Sequence, residues 1–328
     1  MQRRAFLNSC LGSLVSLRAA HTSGKKPVSA IQPSLEETDV LVKVLGTAQD
    51  GGFPAIGCYC KNCRQARLNP DLSRLISSLA IFDLKEEKSY LIDATPDIRV
   101  QAKIIHEWKP IEKSGRQKAP DGIFLTHAHI GHYTGLMFYG YEAMSAYKLP
   151  VYCSSNMGSF LTSNGPWSQL VKLENVSLHT LFPGKKILLS PHLSLTAFKV
   201  PHRNEYSDTL GFVLSGKKRK LIYIPDIKSW EVWNRPITKE VAKVDIALLD
   251  GSFFSPEELP GRDLSKIGHP FIQTSLRVLG ETVKKLKKDV YFTHLNHSNL
   301  AHDPKGKAIK EIEQNGCKLA SDGMEFFL

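Results

Sequence analysis

The stretch Thr126-His127-Ala128-His129-Ile130-Gly131-His132 places three of the chain's twelve histidines within six residues. It directly follows the apolar run Gly122-Ile123-Phe124-Leu125. A strand ending in a tight loop can converge three imidazoles on one point, and imidazole nitrogen suits borderline-soft ions such as zinc. The spacing therefore implies a metal centre and metal-assisted chemistry. Further donors also follow strand-like runs. His202 comes after Phe198-Lys199-Val200-Pro201, Asp226 after Leu221-Ile222-Tyr223-Ile224-Pro225, and His294 after Val290-Tyr291-Phe292-Thr293. Loops at strand ends would collect these side chains at one sheet edge. A second cluster is Cys58, Cys60 and Cys63. Three thiols this close leave one over if paired, and close pairing strains disulfide geometry. They suit tetrahedral zinc with a fourth ligand from elsewhere. Cys153 and Cys317 stand alone and read as small buried hydrophobes.

The elements that must position these groups are short. Alternation predicts a strand over 41–46 that runs into the Gly51-Gly52 loop, and a strand pair over 75–84 and 90–93 joined by Lys85-Glu86-Glu87-Lys88. Gly122–Leu125 reads as a buried strand, 133–147 as a helix, and 150–153 as a strand. In the second half, 193–200, 209–214, 220–224 and 244–249 are β-rich. Lys217-Lys218-Arg219-Lys220 reads as a hairpin tip. An amphipathic helix spans 271–287, and another over 305–314 stops at Asn315-Gly316. A closing strand is expected within 318–328. Strands followed by helices, twice over, predict two sheets packed together with helices outside.

The whole chain has 42% hydrophobic and 23% charged residues, ordinary for a globular protein, and no apolar run long enough to span a bilayer. Its net charge is +11, and Arg3, Arg4, Arg18, Lys25 and Lys26 supply five of those charges with no acid among residues 1–26. The remainder is mildly basic, which favours an anionic substrate. No basic block interleaves with aromatics, so nucleic acid is not an expected partner. The start, Met1-Gln2-Arg3-Arg4-Ala5-Phe6-Leu7, resembles a twin-arginine export signal. Residues 1–24 are read as that signal and 25–39 as a linker. Residues 40–328 are read as one domain, with the product exported, as to a periplasm. Cys10 lies too near the start for a convincing lipoprotein signal.

The ordered His, Asp and Cys set resembles the metallo-β-lactamase-fold superfamily along residues 40–328. Two of its branches are similar in finer detail: the pyrroloquinoline quinone biosynthesis protein B group and the cyclic phosphodiesterase of the carbon–phosphorus lyase pathway. Both begin like Gly46-Thr47-Ala48-Gln49-Asp50-Gly51-Gly52-Phe53-Pro54 with a Cys-x-Cys-x-x-Cys segment, and both end like Asp322-Gly323-Met324-Glu325. Gly268-His269-Pro270 is similar to the quinone-pathway branch. The resemblance implies an α/β (α+β) fold, an αββα four-layer sandwich with a metal site at the sheet edges. It assigns His127, His129 and His202 to a first metal, Asp226 as a bridge, and His132 and His294 to a second metal. It assigns Cys58, Cys60, Cys63 and His297 to a structural zinc. His297 lies three residues after His294, so one turn can feed both sites.

One position departs from the family pattern, because the aspartate between the second and third clustered histidines is Gly131 here. The second metal would then have only His132, His294 and shared Asp226 and bind weakly, and Gly131→Asp should restore it. A positive φ at Gly131, or substrate in the space it leaves, would compete with that expectation. His269 is a candidate proton donor. Asp50, Asp93, Asp208 and Asp250 are candidate orienters of metal-bound histidine. His21, His106, His179, His192 and His302 are left as surface or packing residues. The expected function is zinc-dependent hydrolysis of a small anionic phosphodiester or ester, with Asp226 and His269 in the chemistry. One zinc would be structural and one or two catalytic, with iron or manganese an option at the catalytic site. The alternatives are an iron-dependent hydroxylating role like the quinone-pathway branch, or a metabolite carrier. Stable membrane insertion is not expected, and a homodimer is compatible with the sequence. If the twin-arginine reading holds, replacing Arg3 and Arg4 by Lys retains the protein in the cytoplasm; unchanged partition between cell fractions would reject it.

Overall fold

A computed structural model describes residues 39–106 and 118–328 of the chain. The export-signal reading, with Arg3, Arg4, Cys10 and His21, lies outside the described residues. The strands of the first half are β1 (Val40–Gly46), β2 (Ser78–Asp83), β3 (Lys88–Ile92), β4 (Gly122–Phe124), β5 (Leu149–Cys153) and β6 (Val176–Thr180). Those of the second are β7 (Lys186–Leu188), β8 (Ser194–Val200), β9 (Thr209–Ser215), β10 (Lys220–Ile224), β11 (Ile246–Asp250), β12 (Asp289–Thr293), β13 (Cys317–Leu319) and β14 (Glu325–Phe327). Eight helices are described: α1 (Lys61–Leu68), α2 (Ile98–His106), α3 (Ile130–Tyr133), α4 (Ser155–Ser163), α5 (Trp167–Lys172), α6 (Ile237–Ala242), α7 (Ile272–Leu286) and α8 (Lys307–Gln314).

These strands make two seven-stranded sheets, ordered β14-β1-β2-β3-β4-β5-β6 and β13-β12-β11-β10-β9-β8-β7. Pairing is parallel from β3 to β6 and from β10 to β13. Parallel neighbours need crossovers, which α2 to α8 provide. A strand covered on both faces reads as an unbroken apolar run; all five residues of β11 are buried. Between the sheets, Val42, Ile81, Ile92 and Phe124 meet Leu195, Phe212, Leu221 and Leu248. On the outer face of the first sheet, Ile98, Met157 and Leu161 from the helices pack with Leu41, Leu91 and Val151. On the second, α7 lays down Ile272, Leu276, Leu279 and Val283 at helical spacing against Ile222, Leu249 and Phe292. The layers are therefore helix, sheet, sheet, helix, the metallo-β-lactamase fold that the sequence led us to expect. The Lys217–Lys220 segment turns between β9 and β10, with the Gly216 amide donating to the Arg219 carbonyl at 3.0 Å.

Two expected elements differ. Residues 133–147 do not form one helix: α3 passes into a 3-10 turn over Thr134–Tyr139 and then into turns. Backbone bonds go to the loop after β3 instead, with the Ala94 amide donating to His132 and the Gly135 amide to Ala94, both at 2.9 Å. Gly135 lies so close to that loop that a Cβ would sit 2.1 Å from the Thr95 carbonyl oxygen. Residues 318–328 do not form one closing strand either, because β13 joins the second sheet and β14 the first. The Asp322 carboxylate, accepting from Thr47 Oγ1 and the Leu75 amide at 2.7 Å each, holds the crossing point. Gly323 turns the chain there at φ +84°.

Phe212 is fully buried between the sheets, edge-on to Phe124 with ring centroids 6.1 Å apart. Phe212→Ala should cost about 3–5 kcal/mol, read as a lower urea midpoint at unchanged slope. A shift below about 1 kcal/mol would contradict this packing.

Candidate metal centre

Loops after β1, β3, β4, β8, β10, β11 and β12 all open on one edge, at the strands' carboxyl ends, where open α/β sheets place their ligands. The turns leaving β3 and β12 are abrupt. Asp93 sits at φ 65° and His294 at φ 61°, in the left-handed region that non-glycine residues occupy at a cost where function requires it.

Four side chains from three of these loops form a first group: His127, His129, His202 and Asp226. His129 Nδ1 lies 2.8 Å from His127 Nε2 and 3.2 Å from His202 Nε2. Asp226 places Oδ2 3.4 Å from His127 Nε2 and Oδ1 3.2 Å from His202 Nε2. With metal bonds of about 2.0–2.2 Å, a tetrahedral site has edges of about 3.3–3.6 Å; three of these separations, at 3.2–3.4 Å, lie close to such edges, and the 2.8 Å between His127 and His129 is shorter. Burial, with His132 beside it, holds His127 well below its ordinary pKa, and burial pushes His202 down to about 4. Both rings are thus neutral, with a lone pair to offer. Burial opposes ionisation of Asp226, but His294, His202 and His269 around it hold its carboxyl well below the carboxylate range.

A second group adjoins the first. His132 Nε2 and His294 Nε2 stand 3.5 and 3.6 Å from Asp226 Oδ2. The sequence reading gave this position no further carboxylate, and here the structure corrects it. Asp50, in the loop after β1, brings Oδ1 to 3.6 Å from His132 Nε2 and 3.7 Å from His294 Nε2. Gly131→Asp would not simply complete the site, since a Cβ at 131 would lie 2.2 Å from Asp50 Oδ1. His132 Nε2, His294 Nε2 and Asp50 Oδ1 are buried without a hydrogen-bond partner. Buried polar atoms left so, all turned to one place, fit a bound cation.

Outer contacts fix the rings. His132 Nδ1 donates to Asp93 Oδ2 at 2.7 Å, leaving Nε2 for the site. Burial opposes protonation of His132, but Asp93 and its neighbours raise its pKa well above the ordinary value. His127 Nδ1 meets Thr126 Oγ1 at 2.9 Å, and Thr126 donates onward to Asp93. His129 Nε2 lies 3.1 Å from Glu205 Oε2. His294 Nδ1 lies 3.1 Å from Ser252 Oγ, which donates to Asp250 Oδ1 at 2.8 Å. Of the four candidate orienters, Asp93 and Asp250 reach the histidines from behind and Asp50 faces them. Asp208 pairs instead with Lys199 at 2.8 Å. Thr126, Glu205 and Ser252 escaped the sequence reading, and no spacing marks them.

His269 Nδ1 lies 2.8 Å from Asp250 Oδ2 and 3.1 Å from Asp226 Oδ1. Burial opposes its protonation, but these two carboxylates raise its pKa to about 10. The ring borders a cavity of about 160 Å³ shared with Gln49, Asp50, His129, His202 and Arg203.

The cysteines form a separate group with His297. His297 Nδ1 is 3.4 Å from Cys58 Sγ and 3.6 Å from Cys60 Sγ. A tetrahedral zinc with bonds of about 2.3 Å to sulfur and 2.0–2.1 Å to nitrogen gives an S···N edge of about 3.5 Å. Burial pushes the Cys63 thiol up to about 12, so a cation is what would hold it as thiolate. Asn62 donates to the carbonyls of His297 and Asn299, tying α1 to the turn after β12. Cys153 and Cys317 are buried away from both groups. His302 stacks on Phe53 at 3.8 Å, His192 pairs with Asp39, and His179 stacks on Tyr152, so none of these three joins a site. No described helix is long and apolar enough to cross a membrane.

The family described as the Beta-lactamase superfamily domain matches residues 88–295. Coenzyme PQQ synthesis protein B of Stutzerimonas stutzeri is 28% identical over 312 residues, covering 88% of this chain and 99% of its own. Zinc-bound PqqB from Methylobacterium extorquens shares the fold, with a TM-score of 0.74 at 21% identity over 88% of this chain and all of its own. A diphosphatase of the PhnP family shares it at a TM-score of 0.61 and 23% identity, over 88% and 97% of the two chains.

If the thiols and His297 share a zinc, Cys60→Ser removes about one zinc per chain and lowers the melting temperature. A folded variant with unchanged zinc content would show that they do not.

Proposed function

Because the chain belongs to the Beta-lactamase superfamily, we propose that it is a metal-dependent hydrolase of small anionic phosphodiesters or esters. One observation carries the reading: His127, His129, His202 and Asp226 converge their donor atoms on one point, and Asp50, His132 and His294 converge on another beside it. Zinc, when bound there, acidifies water to give a nucleophile at neutral pH and polarises the scissile group.

The chain's own residues do the rest. Asp226, between the two groups, holds both in register. Arg203 at the cavity supports an anionic substrate. His269 stays protonated between Asp250 and Asp226 and offers a proton to the departing alkoxide. Once water has given one proton to solvent, its oxygen bonds to phosphorus or acyl carbon as the ester bond breaks, and the leaving oxygen takes the His269 proton.

The similarity to PQQ synthesis protein B along 88% of this chain favours a second reading. In it the same donors hold redox-active iron or carry a metabolite, since histidine and carboxylate also suit Fe(II). Two measurements separate the readings. Zinc-loaded protein should turn over a chromogenic phosphodiester such as bis(p-nitrophenyl) phosphate, and His269→Gln should lower kcat by about 10²–10⁴ with metal content unchanged. Anaerobic purification that yields iron, with no phosphodiester turnover on any metal, would move the assignment to the second reading.

A further inference from the structure

We propose that Asp50 is the carboxylate ligand of the second metal position, and that residues 50 and 131 form one steric unit with room for a single carboxylate. The proposal rests on the metal-dependent reading above and names a donor that the family's histidine motif does not contain.

Gly131 is the first observation. It lies within α3, and its φ is not in the left-handed region, so backbone conformation does not call for glycine there. Space does. An ideal Cβ at 131 would sit 2.2 Å from Asp50 Oδ1, 2.7 Å from its Cγ and 3.0 Å from its Cα. The volume that an aspartate at 131 would fill is occupied by another aspartate arriving from a different loop.

The second observation is what Asp50 does with that volume. Its Oδ1 is buried and has no hydrogen-bond partner, as are the Nε2 atoms of His132 and His294 that face it. Asp50, His132 and His294 form one set of converging donors, with Asp50 Oδ1 3.6 and 3.7 Å from the two histidines and Asp226 Oδ2 reaching the same two at 3.5 and 3.6 Å. Such a set suits a small divalent cation with nitrogen and oxygen ligands.

The third observation is that Asp50 is placed independently of the histidine loop. The Leu295 amide donates to Thr47 at 2.8 Å, and the Gln49 amide donates back to Leu295 at 3.0 Å. This clamp locks the segment before Asp50 to the residue after His294. The Gly52 amide then closes a turn onto Gln49 at 2.8 Å, with Gly52 at φ +69°. The turn projects Asp50 across the cavity mouth toward α3.

The test is zinc content and zinc affinity of the full chain, by elemental analysis and competition with a chelator, in Asp50→Asn, Asp50→Gly, Gly131→Asp and the double variant Asp50→Gly/Gly131→Asp. The parent should hold about three zinc ions, one at the cysteines and two at the adjoining groups. Both Asp50 single variants should lose about one ion, with affinity at that position down at least about 100-fold, since even outer contacts are worth 10–100-fold. Gly131→Asp alone should lower both melting temperature and zinc content through crowding. The double variant should regain the third ion to within about tenfold of the parent affinity, a direct carboxylate swap. Parent-like zinc number and affinity in both Asp50 single variants would overturn the assignment while leaving the metal-dependent reading intact. A parent that holds only the cysteine zinc would overturn both. A double variant that folds and binds no better than Asp50→Gly would overturn the steric unit. If the double variant fails to fold, Asp50→Asn decides the ligand role by itself.

Discussion

A carboxylate taken out of water among protein atoms is costly unless charge and hydrogen bonds surround it. Asp226 is such a group, at 2% exposure, and five imidazoles lie 3.1–3.6 Å from its two oxygens. His127 and His132 reach it from the loop after β4 in the first sheet. His202, His269 and His294 reach it from the second. The two sheets must therefore meet in one register, and the core behind the site enforces it. Phe124, the last residue of β4, and Tyr223, three residues before Asp226, are both fully buried between the sheets. Packing fixes where the strands end, and the strand ends fix where the donors stand.

Much of this was legible in the sequence, for physical reasons. Metal donors are rare residue types, and each follows an apolar run whose period is short, so strand plus loop could be read at His127, His202, Asp226 and His294. The long amphipathic α7 was legible from its buried stripe. Less legible were elements with little periodicity: β7 has three residues with a largely exposed pattern, and α5 and α6 have six each. Glycine misled twice. At 135 it allows a backbone approach that replaces helix hydrogen bonds, and at 131 it makes space for a side chain 81 positions earlier in the chain. Neither is visible without the tertiary fold. Asp50 was seen as near the site but not as facing it, because its place depends on pairing between residues 47–49 and Leu295.

The cysteine group belongs to the same construction. The turn after β12 presents His294 to one site and His297 to the other. Asn296 between them donates to Gln49 Oε1 at 2.5 Å, and Asn299 Nδ2 donates to Gly251 at 2.8 Å. The thiol loop is thereby tied to the strip of chain that carries Asp50. An ion held by thiolates there would brace one wall of the cavity beside the histidine groups without entering it.

The crowding between residues 50 and 131 also constrains how this sequence can change over time. A chain with a carboxylate at 131 and one with a carboxylate at 50 are separated by two replacements, and on the proposed ligand role both intermediates should be worse than either end. One intermediate has two acids colliding in the same volume, and the other has none facing His132 and His294. The fitness effect of each replacement reverses sign with the state of the other, so drift by single substitutions meets a valley. On the proposed ligand role of Asp50, position 50 and position 131, far apart in the chain and on different loops, are expected to change as one character.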